Sequence, residues 1–154
     1  NAPAVADPAK VAHAIGKLMP GQIVRLGGMT DCFQAAEIRH RATYSAIERL
    51  NERKVRYLIV TKSPLVADDR YIAIMDRSLA HIQISVTSTD AEIAGMYERA
   101  APPSLRIRAI EKLYGEGFDV ALRLSPCIPR FIDMERLERI RCDKILIEFL
   151  RVNT

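Results

Sequence analysis

Residues 56–63 read RYLIVTKS. Tyr57 to Val60 are apolar without alternation, so a strand here is covered on both faces, as in a parallel sheet between helices. The run then breaks into Thr61, Lys62 and Ser63. Four other segments repeat this form: 22–27 (QIVRLG), 80–86 (AHIQISV), 118–124 (FDVALRL) and 144–150 (KILIEFL). Each is short, rich in branched apolar residues, and followed by hydroxyl or charged residues.

Helical patterns lie before and between these strands. Asp7-Pro8 caps a helix over 8–18, with Val11, Ile15 and Leu18 on one stripe. Residues 40–53 place Tyr44, Ile47 and Leu50 together, and 68–76 place Tyr71, Ile72 and Met75. Asp90 caps 91–98. Ser104 caps a longer helix carrying Ile107, Ile110 and Leu113 and closed by Gly115 and Gly117. Asp133 caps a last helix over 133–140, with Met134, Leu137 and Ile140 inward. Strand and helix alternate throughout, which predicts an α/β fold with a parallel sheet and right-handed crossovers. Residues 1–154 read as one domain.

Ligands of such sheets bind at the carboxyl ends of the strands. Those ends carry GGMTDC, TKS, SVTSTD and LSPCIP. Thr30, Asp31, Lys62 and Ser85 are the candidate site residues they offer. Gly27-Gly28 allows a close backbone approach and a sharp turn. Several strands also hold a polar residue within an apolar run: Arg25, Gln83, Arg123 and Glu148. Period two puts Val120, Leu122 and Leu124 on one face of their strand and Ala121, Arg123 and Ser125 on the other. An unpaired charge against a helix layer costs several kcal/mol, so Arg123 is expected to face a lumen. Standard closed barrels fill that lumen with Val, Ile and Leu. Polar lining therefore predicts a wider, open barrel around a polar ligand, or else an internal Arg–Glu network that only fixes the structure.

The chain has 154 residues, 49% hydrophobic and 27% charged, the ordinary balance of a globular domain. No apolar run approaches the roughly 20 residues of a membrane span, and the N-terminal residues do not form a secretory signal. The 23 basic residues exceed the 19 acidic ones to give +4, compatible with nucleotide or nucleic-acid partners without requiring them. Cys32, Cys127 and Cys142 have neither zinc nor disulfide spacing; reduced thiols and a cytoplasmic location are expected. His13, His40 and His81 are scattered, His81 alone being placed to reach the lumen. There is no Walker loop, GxGxxG, HExxH, GxSxG or CxxC.

The runs RLGGMTDCFQ (25–34), YLIVTKSPLVADD (57–69), HIQISVTSTD (81–90), GFDVALRLSPCIPRF (117–131) and CDKILIEFLRVN (142–153), taken in order, resemble radical S-adenosylmethionine proteins of the spore photoproduct lyase-related subgroup. The resemblance implies a parallel-stranded partial TIM-type barrel, five strands of a (β/α)6 core. It implies S-adenosylmethionine lying across the strand ends, with Thr30, Asp31, Lys62, Ser85 and Arg123 as its binding residues. Lys62 would pair with the methionyl carboxylate as a point charge. Thr30 and Ser85 would hydrogen-bond the amino-acid end, and Asp31 a ribose hydroxyl or the ammonium. It implies a [4Fe–4S] cluster in the parent protein and a 5′-deoxyadenosyl radical that abstracts hydrogen from an unknown substrate. The family's C-x-x-x-C-x-x-C cluster loop is not in this sequence. The chain is thus expected to be a core fragment, inactive by itself, with the edge at 22–27 exposed and open to dimerisation. The alternatives are a non-catalytic nucleotide- or nucleic-acid-binding barrel and, behind it, a phosphate-binding barrel enzyme.

Overall fold

A computed structural model describes residues 5–149. Five parallel strands, β1 (Ile23–Leu26), β2 (Arg56–Thr61), β3 (Ala80–Ser85), β4 (Asp119–Cys127) and β5 (Ile145–Phe149), pair in sequence order into one open sheet. The expected α/β partial barrel is the observed architecture. Both edges, β1 and β5, are unpaired on their outer sides among the described residues.

One face of the sheet packs on helices. Tyr57, Ile59, Ile82, Ile84 and Leu122 are buried there with Ile47, Leu50, Val66, Tyr71, Ile110 and Leu113. Full burial of one such aliphatic side chain stabilises by about 1.5–3 kcal/mol. Val120, Leu122 and Leu124 belong to this core, as their alternation requires. The register places Arg25 beside Leu58, Leu58 beside His81, His81 beside Asp119, and Ser85 beside Arg123. Paired residues of parallel neighbours share a face, so the polar strand residues occupy the concave side.

The helices are α1 (Pro8–Gly16), α2 (Ala35–His40), α3 (Ala42–Glu52), α4 (Asp69–Ile74), α5 (Ala91–Tyr97), α6 (Pro103–Gly115) and α7 (Met134–Glu138). Asp7, Asp90 and Asp133 cap α1, α5 and α7, each accepting from backbone N–H groups one turn inside. Several sequence expectations are corrected. Helix α2 was not foreseen, and α3 begins at Ala42 because Arg41 takes a left-handed conformation, φ 50°. The cap of α3 is remote: buried Glu37, on α2, accepts from Thr43 N and Tyr44 N, each over 2.9 Å. Pro102, not Ser104, precedes α6, and Pro103 occupies its first position, where no N–H is needed. Met134 points outward, since Asp133 as cap sets the helix phase. β4 runs three residues beyond the predicted 124, through a register shift between Leu124 and Cys127. β5 is exposed at every position, with Ile147 54% and Phe149 71% accessible. The predicted strand end at 150 lies outside the described residues.

Candidate functional site

The carboxyl end of β1 turns through Gly27, whose φ is +82°. A Cβ there would stand 2.6 Å from the Val60 carbonyl oxygen of β2, so only glycine fits. Gly28 has open space around its Cα and needs no such allowance. The turn delivers Asp31 to the end of β2. One Asp31 oxygen accepts from Phe33 N over 2.9 Å, and both accept from the Thr61 hydroxyl. The second oxygen also accepts from Lys62 N over 2.7 Å. Asp31 thus ties two strand ends together.

The Lys62 side chain turns the other way, and its Nζ donates to Glu98 Oε2 over 2.5 Å. Glu98 follows α5 directly. Its Oε1 accepts from Arg106 Nη2 and, over 3.0 Å, from the Thr87 hydroxyl. Arg106 is fully buried on α6; its Nε donates to Ala101 O over 2.6 Å and its Nη1 to Ser85 O over 3.0 Å. Burial pushes the Glu98 carboxyl up, but hydrogen bonds and charge from Lys62 and Arg106 outweigh it and hold it below its ordinary range. A continuous polar chain therefore runs along one rim: Asp31, Lys62, Glu98, Arg106, Ser85.

Further along the rim, Tyr97 donates its hydroxyl to Thr87 over 3.1 Å and stacks on Phe131, centroids 5.7 Å apart. Ser88 Oγ donates to Phe131 O over 2.8 Å, and Arg136 Nη1 donates to Thr89 O over 2.9 Å. These contacts join the loops after β3 and β4.

On the concave face Arg123 Nη2 donates to Glu148 Oε2 over 2.6 Å, and Ser125 Oγ donates to the same oxygen over 2.7 Å. Hydrogen bonds from Arg123 and Ser125 hold the Glu148 carboxyl below its ordinary range. At the opposite end of the strands Asp119 holds Lys144 over 2.5 Å and His81 Nδ1 over 2.6 Å. His81 is level with Leu58 and Asp119 in the sheet, and its Nε2 is buried without a partner among the described residues.

Of the five predicted residues, Thr30 and Asp31 lie in the loop after β1, Lys62 just past the end of β2 and Ser85 at the end of β3, while Arg123 is mid-strand in β4, level with Ser85. Two cavities open at this rim. One, of about 260 Å³, is lined by Gly27, Gly28, Thr30, Asp31 and Cys32 among others. The second, of about 390 Å³, is lined by Asp31, Phe33, Lys62, Ser63 and Arg99 among others. Asp31 stands between them, so Thr30 and Lys62 open into different spaces. Glu98 and Arg106 were missed by sequence reasoning. A signal existed: Arg106 has the same helical spacing as Ala109, Ile110 and Leu113, and an arginine on a core stripe needs a buried acceptor.

The cysteines do not assemble a cluster site. Cys32, Cys127 and Cys142 belong to separate segments, and no group of three or more His, Cys, Asp or Glu able to hold a metal occurs among the described residues. Burial, then the nearby Asp31 charge, pushes the Cys32 thiol up to about 12. No helix among the described residues is long and apolar enough to cross a membrane.

The described residues thus form an open parallel partial barrel with polar groups along its strand ends. Solved structures that it resembles include those of spore photoproduct lyase. The complex with dinucleoside spore photoproduct superposes with a TM-score of 0.60 at 19% identity, over 79% of this chain and 35% of that one. A double variant with bound AdoMet and the dinucleoside gives 0.59 at 20% identity, over 77% of this chain and 34% of that one. The chain therefore spans about a third of the length of these lyases. No protein-family model matches the sequence. No curated protein matches it either.

Proposed function

We propose that this chain is the cofactor-binding core of a radical S-adenosylmethionine enzyme whose substrate is open. The observation that carries the reading is Lys62 at the end of β2, on the wall of a cavity, its ammonium held by Glu98 and its backbone N–H by Asp31. The remaining N–H groups of the ammonium suit the methionyl carboxylate. The exposed Thr30 hydroxyl opens into the other cavity and Ser85 is buried, so neither shares the wall that Lys62 occupies; Arg123 has donors beyond the one given to Glu148. Asp31 fits less well as a ligand contact, because three donors already occupy its oxygens.

When bound, S-adenosylmethionine supplies a reducible sulfonium; this chain's residues bind and orient it. A [4Fe–4S] cluster does not fit the cysteines described above. Hydrogen abstraction is proposed only for a longer protein that also brings cluster ligands.

Isothermal calorimetry tests the reading. S-adenosylmethionine should bind the 154-residue chain saturably, and Lys62→Ala should weaken it at least tenfold. Absence of binding, or equal affinity in the variant, overturns it. Salt-sensitive binding of an oligonucleotide without any S-adenosylmethionine affinity would instead favour the nucleic-acid-binding barrel.

A further inference from the structure

Lys62 is held at both ends by carboxylates. Asp31 accepts from its backbone N–H over 2.7 Å, and Glu98 accepts from its Nζ over 2.5 Å. We infer that Asp31 and Glu98 are positioning residues for Lys62, which alone of the three contacts the ligand. The inference rests on the cofactor-binding reading above and changes the role expected of Asp31.

Three observations carry it. The first is saturation. Asp31 accepts from Phe33 N, the Thr61 hydroxyl and Lys62 N, so a ligand ammonium or ribose hydroxyl would have to displace contacts that define the end of β2. The second is rigidity. The Glu98 side chain is 8% exposed and cannot swing away, because Arg106, 1% exposed, has its other donors engaged by Ala101 O and Ser85 O. The third is charge. Glu98 takes two cations, Lys62 and Arg106, so its single negative charge is shared and does not neutralise the Lys62 ammonium alone. The Lys62 side chain is 37% exposed and lines the cavity that Arg99 also lines.

A free lysine loses up to about 2 kcal/mol of rotamer entropy when it is ordered. Glu98 imposes that order before a ligand arrives, which is preorganisation. The ammonium is then aimed at a carboxylate on the ligand, and a ligand without one gains nothing from it.

The test compares S-adenosylmethionine with 5′-methylthioadenosine, which lacks the amino-acid end, on wild type, Glu98→Gln, Lys62→Ala and the double variant. Glu98→Gln should weaken S-adenosylmethionine about tenfold or more and leave methylthioadenosine unchanged. In the Lys62→Ala background the same change should have no further effect. Equal losses for both ligands, or a persisting loss without Lys62, overturn the inference. If Glu98→Gln does not fold, Glu98→Gln with Arg106→Gln removes the unpaired buried cation and carries the same expectations. The acetylation rate of the Lys62 amine with acetic anhydride, read by mass spectrometry, needs no ligand. It should rise severalfold in Glu98→Gln, and an unchanged rate overturns the clamp. Should wild type bind neither compound, the cofactor reading fails while this rate still decides the positioning role.

Discussion

Arg106 reaches from α6 to the end of β3 and donates to the carbonyl oxygen of Ser85 over 3.0 Å. A buried guanidinium is thereby tied to a strand terminus that faces the candidate site. Arg106→Ala should remove that tie and leave Glu98 without its innermost cation. Breaking a buried pair costs about 3–5 kcal/mol. Urea denaturation should show a loss of that order, and one below about 1 kcal/mol would mean that water already satisfies these groups.

Gly27 and Gly28 should respond oppositely to alanine. At Gly27 the added methyl meets the Val60 carbonyl at 2.6 Å with φ +82°. Strain there, plus displacement of the loop that carries Asp31, should lower stability by more than about 1 kcal/mol. Gly28→Ala meets nothing within 4 Å and should be nearly neutral. Thermal melts of the two variants check the contrast.

The Glu98 carboxyl is held below its ordinary value of 4.5. A depressed carboxylate stabilises the fold above its unfolded value and loses that contribution as pH falls through the folded one. The stability gap between wild type and Glu98→Gln should therefore be full at pH 6–8, by about two units above that value, and shrink progressively below it. Denaturation curves measured down the acid range give the gap directly. A gap that stays constant through the acid range would contradict the sign.

Cys32, pushed up to about 12 by burial and by Asp31, stays a thiol at neutral pH. Iodoacetamide at pH 8 should leave it unmodified in the folded chain and label it after denaturation. Peptide mass spectrometry reads both states. Prompt labelling of the native protein would show the thiol to be open and ionised.

The inner strands were legible because parallel pairing buries both faces, so YLIV stands out without any long-range information; the ILI of β5 has the same look but is exposed at every position. The rim was legible for the same reason: Lys62 and Ser85 terminate those runs. Glu98 and Arg106 were not, because their pairing joins the segment after α5 to α6 through contacts that no local pattern encodes. Helix α2 was hidden by its length of six residues, less than two turns and too short for a periodic stripe. The partners of Asp31 were not legible either. Sequence places a carboxylate at a strand end but cannot tell whether the next strand's own N–H groups will occupy it.

The two flanks of the sheet that are unpaired among the described residues, β1 and β5, have unequal consequences for self-association. Two copies meeting antiparallel through β1 form a closed twofold pair and stop there. A β5 flank meeting the β1 flank of the next copy repeats without closing, and such head-to-tail addition grows a fibre. The apolar residues that favour the second route are Ile145, Ile147 and Phe149. Either route would run through the flanks that are unpaired among the described residues, and the chemistry of one terminal strand weighs between a finite particle and an endless ribbon.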